Sequence, residues 1–176
     1  MALKPTIYKA NIALSDFDRH TFDSISLTIA QHPSETLERM MARMLAFCIH
    51  YEDLLAFTAG LSDVDTPDIW VKTLDDRITH WIDVGEPNAD RLKKASRQAE
   101  KVSVYSFNSK SDVWWAQEGK KIKEAGAAVF QFSWDSIQEL ASHVERTMDF
   151  SLTLTEMTAY FSFAGGDCAV SWRALS

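Results

Sequence analysis

A chain of 176 residues with 46% hydrophobic and 24% charged residues lies in the ordinary globular range. It is long enough to bury a core and is most simply one domain, residues 1–176. The net charge of −7 argues against a protein that grips duplex nucleic acid over its whole surface, though it leaves room for a local basic strip. No apolar run approaches the roughly 18 residues of a membrane span. The opening MALKPTIYKANIALSD has no apolar signal-peptide core, so a cytoplasmic location is expected. Cys48 and Cys168 read as two buried or idle thiols rather than a disulfide or a metal pair.

Along the chain, 6–14 and 22–29 alternate polar and apolar residues around the polar turn Ser15–Arg19, which predicts a β-hairpin. Pro33 breaks the pattern, Ser34 is a credible N-cap, and a helix is expected from about Glu35 to Glu52. Its stripe of Leu37, Met40, Met41, Met44, Leu45 and Cys48 reads as core packing. Residues 57–67 are polar and read as a loop or edge, not a domain boundary. Asp68–Thr73 and Ile78–Val84 then form an antiparallel pair around a turn at Leu74–Arg77. A helix over 89–101 and a strand over 102–107 complete a crossover that makes the last two strands parallel. A second crossover follows, with a helix over 112–124, a stop at Gly126 and a strand over 127–132. Ser133 or Asp135 caps a helix over 136–146. The tail alternates in three strands, with Gly165-Gly166-Asp167 as a hairpin turn. The expected fold is therefore α/β (α+β), with the terminal hairpins forming a second, antiparallel sheet.

Chemistry gathers in the middle unit. Asp68 opens one strand directly after Pro67, Asp83 closes its hairpin partner just before Gly85, and Lys93 and Lys94 follow on the next helix. Strand ends beside a helix start are where α/β sheets place functional groups. Two carboxylates brought together repel and call for a proton or a hard divalent cation, Mg²⁺ or Mn²⁺. A lysine opposite such a cation stabilises developing phosphoryl charge. Read singly, each residue also has a bland explanation: a strand cap, a turn former, a solvated helix face. Gln98 stacks one turn beyond Lys94. On a helical wheel Glu38 falls at the edge of the apolar stripe of the first helix and Glu35 farther towards solvent. Glu38 is then either an edge charge paired with Arg39 or Arg43, or a carboxylate aimed into the site. The five histidines show no metal-ligand spacing, with His80 read as facing solvent, and no phosphate loop or nucleophile elbow appears. Trp114 and Trp115 point about 100° apart on a helix, so one core and one edge ring is expected rather than a base-stacking pair.

His32-Pro33-Ser34-Glu35-Thr36, Trp81-Ile82-Asp83-Val84-Gly85, Arg91-Leu92-Lys93-Lys94-Ala95 and Val113-Trp114-Trp115, with the opening Thr6-Ile7-Tyr8-Lys9-Ala10, resemble the YaeQ family of bacterial proteins. The match covers nearly the whole chain. The resemblance implies a restriction-endonuclease-like core of the PD-(D/E)xK nucleases, in the order αβββαβ, with extra β-structure from the termini. It implies that Asp68 takes the place of the PD aspartate and Asp83 the (D/E) position, with Glu38 or Glu35 as the first-helix acid. Gly85 stands where the motif lysine belongs. The resemblance then implies migration of that lysine to the next helix, Lys94 first and Lys93 second, with Gln98 matching a glutamine found there in some branches.

Two functions are carried forward. One is a Mg²⁺-dependent phosphodiesterase acting on nucleic acid, with Asp68, Asp83 and Glu38 or Glu35 as metal ligands and Lys94 and Gln98 beside them. The other is a catalytically inactive module of the same fold that binds a protein or nucleic-acid partner in transcription or nucleic-acid processing. Neither calls for a membrane or an organic cofactor.

Overall fold

The computed structural model describes residues 4–176. The strands are β1 (Thr6–Asp16), β2 (Thr21–Gln31), β3 (Leu55–Phe57), β4 (Ile69–Lys72), β5 (Ile78–Val84), β6 (Ala99–Ser106), β7 (Ala128–Phe132), β8 (Thr147–Thr155), β9 (Thr158–Phe163) and β10 (Gly166–Ala174). The helices are α1 (Leu37–Ile49), α2 (Ala89–Gln98), α3 (Ser111–Ala125) and α4 (Trp134–Ala141). All ten strands join one sheet in the order β2-β1-β8-β9-β10-β7-β6-β5-β4-β3. The fold is mixed α/β.

The expected separate terminal sheet is corrected here in two ways. First, β1 and β8 run parallel, with Ile12 beside Phe150, so the terminal strands are not wholly antiparallel. Second, β10 is long enough to serve both halves. Gly166–Ser171 pairs with β9 while Trp172–Ala174 pairs with β7, and the two halves become one sheet. Sequence alternation fixes which face a residue takes but not its partner strand, and this bridging left no mark in the pattern.

The middle unit forms as read. β4 and β5 are antiparallel, β5 and β6 parallel, and β6 and β7 parallel. Element ends shift from the expected bounds. β6 begins at Ala99, not residue 102, because the parallel ladder from β5 recruits Ala99 opposite Ile78. The segment 57–67, read as a loop or edge, starts on an edge: Phe57 ends the short edge strand β3, held against β4 by Leu55 and Val71. The α4 helix starts at Trp134, directly after its cap Ser133, and ends at Ala141 rather than at residue 146. Gly126 stops α3 in the left-handed region (φ 83), as its position suggested.

Successive side chains of β5 go to opposite faces of the sheet. Ile82 and Val84 pack with Met40, Met41 and Leu45 of α1. Trp81 packs with Leu92 and Ala95 of α2, and with Trp114 and Ile122 of α3. Trp114 is thus a core residue whose Nε1 donates to the Pro87 carbonyl, while Trp115 lies at the edge with Lys123 over its ring. From Trp81 to Val84 β5 is buried on both faces. Asp83, 2% exposed, is the one charged residue inside it.

Candidate functional site

The cleft forms where β5 ends and α2 begins. Asp68 precedes β4, and its N–H donates to the Ile82 carbonyl at 3.2 Å, which sets it beside the end of β5. Both Asp68 (6% exposed) and Asp83 line a cavity of about 500 Å³, together with Arg39, Glu86, Arg91 and Asn108. Each acid is already engaged. Asp68 Oδ1 accepts from Arg39 Nη2 at 2.7 Å, and Oδ2 from the Val84 N–H at 2.8 Å. Asp83 accepts two bonds from Arg91, from Nε at 2.8 Å and Nη2 at 3.2 Å. Arg91 also donates to the carbonyls of Val64 and Thr66, which ties the 58–68 segment to the acid.

Behind Arg39 lies a second network. Glu35 is 6% exposed and accepts from Arg39 Nη1 at 2.6 Å, from Arg43 Nη2 at 2.8 Å and from Arg43 Nε at 3.1 Å. Arg43, 5% exposed, also lies over the Phe57 ring. Three guanidiniums therefore meet three carboxylates, and the cluster is close to neutral. Burial is the largest influence on Asp83 and raises its carboxyl above the usual range; Arg91 opposes this and nearby Asp68 reinforces it. Glu86 is likewise raised by burial, although Ser111 donates to it.

The helix-wheel expectation for the first acid is corrected by this arrangement. Glu35 precedes the helix, because Thr36 and not Ser34 is the N-cap and α1 begins at Leu37. Wheel angles do not apply outside the helix, and the carboxylate expected towards solvent is the one that takes both arginines. Glu38 is half-buried, makes no ion pair among the described residues and does not line the cleft. Lys94 and Gln98 share a helix face, the Gln98 amide donating to the Lys94 carbonyl at 3.5 Å. They line a neighbouring recess of about 250 Å³ with Val64, Asp65, Trp81 and Arg91, so Arg91 and Val64 form the wall between recess and cleft. Lys93 is exposed.

Gly85 adopts φ +121, a region that side-chain-bearing residues rarely enter. Its backbone conformation, not crowding, bars a lysine there, since a Cβ would meet nothing within 4 Å. Gly85→Lys should cost about 1–3 kcal/mol of stability, read as a lower urea midpoint at unchanged slope. A variant as stable as the parent would show that the backbone relaxes freely.

Arginine was the residue type that sequence reasoning undervalued. Arg91 lies in the first turn of α2, after the N-cap Asn88. A cation is unfavourable against the helix dipole at that position, so it signals a local acidic partner. A divalent ion would need open carboxylate oxygens among these side chains. Asp68 and Asp83 supply hard oxygens of the right chemistry, but every one of those oxygens already accepts a hydrogen bond, three of them from guanidinium groups. No group of three or more His, Cys, Asp or Glu side chains converges among the described residues. As arranged, these residues do not fit Mg²⁺ or Mn²⁺.

Fold and cleft together define a mixed α/β protein with an arginine-closed acidic cleft at a strand–helix junction. The chain belongs to the YaeQ protein family, whose sequence model matches residues 1–172. It is 37% identical over 176 residues to the uncharacterised protein YaeQ of Salmonella typhi, covering 99% of this chain and 97% of that one. It is 38% identical over 164 residues to its counterpart in Escherichia coli (strain K12), covering 92% and 91%. Among solved structures it resembles YaeQ from Pseudomonas syringae, with TM-score 0.93, 39% identity and coverage of 98% and 96%. YaeQ from Xanthomonas axonopodis pv. citri gives TM-score 0.93 at 29% identity, covering 98% of each chain. No helix among the described residues is long and apolar enough to cross a membrane.

Proposed function

We propose that this chain is a restriction-endonuclease-like module that acts by binding a partner rather than by cutting nucleic acid. The observation that carries this reading is that Asp68 and Asp83 each hold an arginine where a metal-dependent nuclease needs free carboxylate oxygens. The run α1-β3-β4-β5-α2-β6 has the αβββαβ order of that core, which supports the fold analogy. Analogy of fold alone does not carry activity. Gly85, at the place of the motif lysine, argues in the same direction.

A Mg²⁺-dependent phosphodiesterase is the second reading, favoured by the closeness of Asp68 and Asp83 and by Lys94 and Gln98 just across Arg91. It requires Arg91 to leave Asp83. Labelled DNA and RNA incubated with Mg²⁺ or Mn²⁺ separate the two. The binding reading expects the parent and Asp83→Asn to leave the probes equally intact. Cleavage by the parent that disappears in Asp83→Asn would establish the enzyme instead.

A further inference from the structure

Charge is distributed very unevenly along this acidic chain. Between Ala89 and Ala125, which spans α2, β6 and α3, nine lysines and arginines stand against five acids, a segment of +4 in a protein of −7, so the remainder carries −11. Because β5, β6 and β7 are parallel, α2 and α3 both return against them, and the two helices run side by side in contact. Their N-termini lie at the cleft end of the sheet, where Arg91 already lines the cleft.

The apolar faces of both helices are spent on the sheet, through Leu92, Ala95, Trp114 and Ile122. The opposite faces present Lys93, Lys94, Arg97, Lys120, Lys121 and Lys123, all exposed. None of these six makes an ion pair among the described residues. The cations that do are Arg19, Arg39, Arg43, Lys72, Arg77, Arg91 and Arg173; of these only Arg91 belongs to α2, and it turns into the cleft towards Asp83. Solvated lysines are ordinary, but a concentration of unpaired cations opposed to the rest of the chain's charge produces a directed field.

We infer that the α2–α3 face is a docking surface for the phosphodiester backbone of nucleic acid, the partner of the non-cutting module proposed above. This rests on that reading of the cleft. An anionic membrane would need an apolar helix face turned outward, and of the large hydrophobic side chains on these helices Val113 alone is exposed. A protein interface would need an apolar or aromatic centre, which Val113 and the half-buried Trp115 do not make. A phosphate backbone needs only spaced cations. With rises of 1.5 Å per residue, α2 and α3 offer tracks of roughly 15 and 22 Å, enough for several phosphates. The face does not pass through the Asp68–Asp83 pair, so binding there needs no chemistry at the acids.

The test is fluorescence anisotropy of a labelled DNA duplex two helical turns long, and of a matched single-stranded RNA, in EDTA at several salt concentrations. The parent should bind with an affinity that falls steeply with salt. The exposed triple variant Lys120→Gln, Lys121→Gln, Lys123→Gln should weaken binding about tenfold or more and flatten the log–log salt slope by about 2–3. The charge-matched control Lys4→Gln, Lys9→Gln, Lys72→Gln should stay within about twofold, because these lysines lie off the face. Equal losses in both triples, absence of binding by the parent, or equal binding to polyglutamate or phosphatidylserine vesicles would each overturn the assignment. Metal-dependent cleavage of the same probes would instead overturn the reading of the cleft, leaving binding in EDTA on its own footing.

Discussion

Glu35→Ala is expected to lower stability by about 3–5 kcal/mol, the largest single loss anticipated for a polar residue of this fold. Its carboxylate receives three guanidinium hydrogen bonds and is buried with Arg43. Truncation leaves Arg43 charged and desolvated, with the Ala30 carbonyl as its one hydrogen-bond partner and the Phe57 ring beneath it, while Arg39 keeps Asp68. A domain stable by about 5–15 kcal/mol would lose a large share of its margin. Chemical denaturation at neutral pH gives the number directly. The ion pair itself adds little beyond avoiding that penalty, because desolvating both groups cancels most of their attraction. The double variant Glu35→Leu, Arg43→Met should therefore recover most of the loss. If Glu35→Ala costs less than about 1 kcal/mol, water reaches Arg43 and the network is not the buried one described.

The second large effect is acid destabilisation centred on two histidines. His50 Nε2 meets the Tyr105 hydroxyl at 2.6 Å, His80 Nε2 meets Ser103 Oγ at 2.8 Å, and the rings lie edge to face at 4.8 Å. Burial, helped by each other and by the positive charge of Lys101 and Arg19, pushes His50 down to about 3. Burial and Lys101 push His80 down to about 4. Both values lie below the ordinary 6.5, so in acid the unfolded chain binds protons that the folded one refuses. The stability these groups contribute is present above about pH 6.5 and is lost as pH falls towards 4 and 3. Between pH 7 and 5 the loss should be about 2–4 kcal/mol, discounted for the partial exposure of His80. His50→Gln keeps a partner for Tyr105 but cannot titrate, so it should remove about half of that slope. An unchanged slope in the variant would assign the pH dependence to other groups.

How much of this was legible in the sequence depends on whether a signal was local. Period-two alternation at Met148, Phe150, Leu152 and Leu154 correctly gave a buried strand face. The strand–helix–strand crossovers followed from the spacing of Asp83, Leu92 and Val104. Pairing between distant strands was not legible: β1 beside β8, and β10 serving both β9 and β7, depend on shape rather than on any local pattern. Asp83 was visible because it interrupts the apolar Trp81–Val84, and Asp68 because it opens a strand directly after Pro67. Their partners were not, because an arginine on a surface helix looks the same whether it is solvated or reaches a carboxylate. His80, expected to face solvent, is half-buried, because His50 at the end of α1 packs against its ring and β6 brings Ser103 within hydrogen-bond reach.

Arg39 and Arg91, not a divalent ion, neutralise the Asp68–Asp83 pair. Calorimetric titration of the purified chain with Mg²⁺ and then Mn²⁺ tests it directly, with Arg91→Ala titrated in parallel. No saturable heat is expected for the parent, and a measurable gain of Mn²⁺ binding is expected in Arg91→Ala, where Asp83 is freed. Stoichiometric binding by the parent that is abolished in Asp83→Asn would contradict it.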